Sequence, residues 1–339
     1  MTHPVTSSCP RRTNSQFNLL VCAGAALICL VYGTTVARCA DPAETAAKNG
    51  DSDKVPDPVV VPLETRDGLQ MELTYYASNK GKDAVPIVML HGWKGSSADM
   101  ADLALAMQRR PFFHAVIVPD LRGHGKSTRI RNDAKPIDQA LMKKADFDAM
   151  VSQDMEAVKK FLIEKNNAAE LNIEKLCVVG ADMGALVAMN WAVLDWSIPD
   201  LLTGKQGKDV KALVLISPPL NFHGVSTAAA LASPTVKTVL SVLIIVGAEK
   251  GAGKAHDDAQ RINKLLAAVR PKPPTDAEEF RKNPPDLFFD ELKTTLQGTK
   301  ILEDRRLGAQ VSGDIAQFID LRLAGKRFPW SMRSDPHGH

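Results

Sequence analysis

Apolar and polar positions divide this chain into short runs of strand length and longer segments with helical spacing. The short runs are Ile87–Leu90, His114–Val118, Leu176–Val179, Leu213–Ile216 and Leu240–Val246, and each is soon followed by glycine, proline or a small polar residue. Between them, apolar residues recur every three or four positions, as one face of a helix requires. Ser96–Arg109 places Met100, Leu103, Ala104 and Met107 together, with Ser97 as the expected cap. Asp146–Lys165 carries a stripe of Phe147, Met150, Val151, Met155, Val158, Phe161 and Leu162. Helices are also expected over Arg261–Val269 and Val311–Leu323. Val59–Leu63 and Leu69–Tyr76 flank Asp67-Gly68 and predict a hairpin. Residues 271–285 are rich in proline and lysine and read as a surface loop, leaving Thr294–Leu296 as a short last strand. Strands alternating with helices predict an α/β fold: a mostly parallel sheet of about eight strands, helices on both faces, and function at the strand C-terminal ends.

Composition adds a leader to this picture. Arg11 and Arg12 precede a mostly apolar run, Phe17–Val36, with small residues behind it, the pattern of a secretory signal peptide. Cleavage is expected near Ala37 or Ala40; an uncleaved run would be a membrane anchor. Residues 41–58 form a polar linker, 59–325 the folded domain and 326–339 a tail. The formal net charge of +3 comes entirely from the leader, whose Arg11, Arg12 and Arg38 face no acidic residue, so the rest of the chain is neutral. No nucleic-acid partner is expected from such a balance. Four of the five cysteines lie in the leader, so the exported protein would keep only Cys177 and no internal disulfide.

The stretch Leu176–Trp196 passes from a buried strand through Gly180-Ala181-Asp182-Met183-Gly184 into an apolar helix. It resembles the G-x-S-x-G nucleophile elbow of α/β hydrolases, with Asp182 where serine is expected. Two further motifs stand in the family's order: His91-Gly92-Trp93 after the third strand, and Pro119–Ser127, PDLRGHGKS, after the fourth. The resemblance covers about Val59 to Leu323. It implies an oxyanion hole made by the backbone N–H groups of Trp93 and Met183, with His91 holding loop backbone. The span from Ser217 to Leu240 is too short for a large cap domain, which implies an open pocket.

An elbow aspartate resembles those of haloalkane dehalogenases and epoxide hydrolases, which form an alkyl ester that water then cleaves. That second step needs a histidine base and an acid to orient it. The family places the histidine after the last strand, where this chain reads Gln297-Gly298-Thr299-Lys300. Glu249, after Gly247, is the remaining candidate acid, and His256 is a base only if its loop reaches Asp182. Otherwise Asp257 and Asp258 would cap a helix, with His256 exposed. No metal-ligand spacing emerges and no cofactor is implied. The expectation is a family member with a degenerate site, weakly active or inactive as a hydrolase. The alternatives are an Asp-nucleophile hydrolase of small esters or carbon–halogen bonds, and a non-catalytic ligand- or partner-binding protein of the cell envelope. Substrate, partner and oligomeric state are open.

Overall fold

A computed structural model describes residues 54–202 and 204–333; the leader, most of the linker and the last six residues lie outside them. Eleven strands are present among the described residues: β1 (Val59–Glu64), β2 (Leu69–Tyr76), β3 (Pro86–Leu90), β4 (Ala115–Pro119), β5 (Arg129–Ile130), β6 (Leu176–Ala181), β7 (Val210–Ile216), β8 (Asn221–Phe222), β9 (Val225–Ser226), β10 (Ser241–Gly247) and β11 (Leu287–Leu292). The main sheet runs β1-β2-β4-β3-β6-β7-β10-β11, with β5 added to β2. From β4 to β11 every pairing is parallel, while β1 and β2 are antiparallel. Residues of β3, β4, β6 and β10 are buried throughout, which is why their sequences are continuous apolar runs rather than alternating ones.

The α-helices are α1 (Ala101–Gln108), α2 (Lys144–Ala149), α3 (Met155–Asn167), α4 (Met183–Ser197), α5 (Ala228–Ala232), α6 (Gly253–Ala267), α7 (Ala277–Lys282), α8 (Thr299–Glu303) and α9 (Arg305–Ile319). No helix among the described residues is long and apolar enough to cross a membrane. The apolar stripe expected from Phe147 onward is buried except for the partly buried Val151, but a π segment, Met150–Asp154, separates α2 from α3. Ser96 rather than Ser97 caps the turn before α1, its backbone N–H donating to Asp99 Oδ2.

Three further boundaries differ from expectation. The last strand is Leu287–Leu292, not Thr294–Leu296; as the sheet's outer strand it is only partly buried, so its Asp290 and Glu291 disguise it as loop. α6 starts at Gly253, so Asp257 and Asp258 lie inside the helix and cap nothing; Asp258 instead accepts the Leu220 N–H at 3.1 Å. The residues from Phe328 to Arg333 dock on the domain: Asn172 donates to Phe328 O at 2.9 Å, and buried Arg333 pairs with Asp209 and Glu174.

On the outer face of β11, Asp290 hydrogen-bonds Asp314 of α9. Burial, and then the neighbouring carboxyl, push Asp314 up to about 7. The folded chain therefore holds a proton that the unfolded chain releases near pH 4, and stability falls as pH rises from there through about 7. Asp314→Asn removes that loss. Urea unfolding is expected to show a gain over the parent that is larger at about pH 8 than at about pH 5; equal gains would disprove the shared proton.

Candidate active site

β6 delivers the chain to Asp182, which adopts φ 50° and ψ −118° immediately before α4. A positive φ strains any residue other than glycine by about 1–3 kcal/mol, so the turn persists only because its neighbours hold it. Asp182 N–H donates to Ile216 O at 2.9 Å, and its carbonyl accepts from Ala185 N–H at 3.0 Å. The two flanking glycines permit close approach. A Cβ on Gly180 would lie 2.5 Å from Ala185 N, and one on Gly184 would lie 2.6 Å from His91 O.

The Asp182 side chain is half-buried. Burial raises its pKa, and the backbone N–H of Trp93, directed at the carboxyl, opposes that rise. No lysine, arginine or histidine among the described residues pairs with Asp182.

His91 is structural. Its Nδ1 lies 2.8 Å from Gly92 O and its Nε2 accepts the Leu121 N–H at 3.1 Å, which fixes a neutral ring with the proton on Nδ1. Full burial lowers its pKa to about 4. The ring staples the loop carrying Trp93 to the turn after β4. Gly92 lies close to the elbow beneath it: a Cβ there would meet Asp182 Cβ at 3.4 Å, an ordinary packing contact. Arg122, from the same turn, is buried against Asp154 and reaches Asp67 at 2.8 Å.

The loop after β11 comes to Asp182, but with backbone. Gly298 has φ 57°, and a Cβ on it would lie 3.3 Å from Asp182 Cβ. Around it, Ser217 Oγ donates to Gln297 Oε1 at 2.7 Å and accepts the Gly298 N–H at 2.9 Å. Gln297 Nε2 donates to Gly247 O at 2.9 Å. The ends of β7, β10 and β11, where the family places acid and histidine, are here tied together by a neutral hydroxyl–amide clamp. Neither an amide nor a serine hydroxyl held in this way can take a proton near pH 7.

The other two sequence candidates are not brought to the elbow. His256, on α6, hydrogen-bonds Glu291 of β11 at 2.7 Å, and Gln260 shares that carboxylate. This pairing holds the His256 imidazole at the outer sheet edge, on β11. Glu249 is exposed at the end of β10, its N–H donating to Thr294 O. No group of three acidic, histidine or cysteine side chains among the described residues could hold a metal ion. Cys177 is buried and unpaired, and burial pushes its thiol pKa up, which suits a core residue.

A sequence model of the α/β hydrolase fold matches residues 85–301, more than half of the chain. The chain belongs to the α/β hydrolase family. Among solved structures, the Pyrococcus furiosus esterase Pf2001 superposes with a TM-score of 0.53 at 16% identity, covering 86% of this chain and 98% of that one. A Pyrobaculum calidifontis esterase gives 0.53 at 14%, covering 79% and 85%. Esterases from Rhizomucor miehei give 0.50 at 15%, covering 83% and 88%. Identities this low speak for the shared fold alone. No curated protein matches the chain in sequence.

Relative to that family pattern, two features of this hydrolase-fold chain escape the sequence. One is the Ser217–Gln297–Gly298 clamp, whose partners lie about eighty positions apart. The other is an aromatic cover. The short insert between β7 and β10 forms the β8–β9 hairpin, which lays Phe222 and His223 on Trp93 at centroid distances of 5.6 and 5.1 Å. Phe147 and His124 also pack on the Trp93 ring at 5.5 and 5.1 Å. The only sequence signal for it is the Phe222-His223-Gly224 triplet in an otherwise small-residue segment.

Proposed function

We propose that this α/β-hydrolase-fold protein does not turn over esters or halides and that its elbow site binds a small molecule instead. The observation that carries this reading is Gly298 lying against Asp182 where a base would have to stand. Attack by Asp182 would form a mixed anhydride from an ester, expelling the alcohol, or an alkyl ester from a halide, expelling the halide ion. Release from either requires a water activated next to it. The neighbouring groups are a glycine backbone, a serine and an amide, all neutral. Asp182 itself is well placed to meet a ligand, since it is half-buried and carries no cationic partner. The Arg11-Arg12 pair and the Phe17–Val36 run support a site of action outside the cytoplasm, either free or tethered.

The test is turnover of p-nitrophenyl acetate and chloroacetate by purified protein beside Asp182→Ala. Both proteins are expected to run at the same background rate. Turnover that disappears with Asp182→Ala would overturn the proposal and establish an aspartate-dependent hydrolase.

A further inference from the structure

We propose that the ligand of the elbow site is a small protonated amine carrying an apolar body, its ammonium on Asp182 and its body against the Trp93 cluster. This rests on the non-hydrolytic reading above and names the ligand class it leaves open. Two independent observations meet here. First, Asp182 is a half-buried carboxylate with no cation beside it among the described residues, and a single backbone N–H directed at it. A carboxylate has about four lone-pair positions, so one N–H leaves room for the two or three donors of an ammonium group. A charge that is partly taken from water and left unpaired is costly, and an incoming cation relieves that cost.

Second, the residue whose N–H faces this carboxylate carries the largest aromatic ring of the site. Trp93 is half-buried, with Phe222, His223, Phe147 and His124 packed around it. Indole is the strongest cation–π partner among side chains, and its partners extend an apolar wall. His223 is exposed, so this edge of the wall meets solvent. A neutral ester would find no use for the carboxylate, and an anion would be repelled by it. The clamp of Ser217, Gln297 and Gly298 offers hydrogen bonds already spent on one another. Charge and shape together select an amine with a small hydrophobic group.

Calorimetric titration of the protein with benzylamine, benzyl alcohol and benzoate tests the proposal. Benzylamine is expected to bind at least about tenfold more tightly than benzyl alcohol, the size of one charge-assisted hydrogen bond, and benzoate not at all. Asp182→Asn should abolish that preference while leaving benzyl alcohol within about twofold. Phe222→Leu, on the hairpin, should weaken benzylamine about threefold, and thermal melting of both variants checks that they remain folded. Equal binding of amine and alcohol, unchanged amine binding by Asp182→Asn, or no amine binding at all would each overturn the cation assignment. None of these would touch the non-hydrolytic reading, which falls only to Asp182-dependent turnover.

Discussion

Gly184→Ala is expected to destabilise the protein by roughly 3 kcal/mol or more, although alanine is the better helix former by about 1 kcal/mol. Gly184 lies in the first turn of α4, with nothing unusual in its φ. The obstacle is space: a Cβ would lie 2.6 Å from His91 O and 2.8 Å from the Leu90 carbonyl carbon. Both are backbone atoms at the end of β3, which is hydrogen-bonded to β4 and β6, so neither side can yield cheaply. The same loop carries Trp93, so relief of the clash would also disturb the site. Gly313 of α9 is the matched control, because a Cβ there meets nothing within 4 Å. Gly313→Ala should be neutral or stabilising by up to about 1 kcal/mol. Thermal and urea unfolding of both variants decide the matter, and a Gly184→Ala protein as stable as the Gly313→Ala one would show that the elbow is not close-packed.

Asp195→Ala is expected to cost about 3–5 kcal/mol, the cost of breaking a buried ion pair from one side. Asp195 is wholly buried near the end of α4 and is bonded to Lys159 of α3. It also accepts the N–H groups of Asp209 at 2.6 Å and Val210 at 3.0 Å, fixing the chain as it enters β7. Alanine would strand a buried ammonium with only Asp209, 3.3 Å away, and leave two backbone donors without an acceptor. Asp195→Asn keeps an oxygen acceptor of nearly the same shape and should cost less. Urea unfolding of the two variants separates charge from hydrogen bonding; equal losses would assign the whole effect to the charge.

Much of the fold was legible in the residues because its causes are local. Continuous apolar runs of four to seven residues bounded by Gly, Pro or Ser are too short for buried helices and read as strands buried on both faces, and Gly180 and Gly184 mark a turn that leaves no room for side chains. The last strand escapes the pattern because Leu287–Leu292 is an edge strand bearing Asp290 and Glu291, so its sequence is that of a half-exposed segment. The start of α6 is not visible in the pattern because Gly253 and the polar residues after it carry no apolar stripe until Ala259 and Ile262.

The site divides in the same way. Sequence alone determined that an aspartate sits at the elbow, that Trp93 follows a His-Gly pair, and that no histidine occurs near 297–300, since each is a matter of residue identity within a short motif. Only the tertiary structure decided that Gly298 backbone lies against Asp182, that Ser217, Gln297 and Gly298 join in a neutral clamp, and that His256 is held by Glu291. It alone assembled Trp93, Phe147, Phe222 and His223 into one cluster. These groups come from segments tens of residues apart, and parallel crossovers bring their strand ends together. No periodicity along the chain can encode which of them touch.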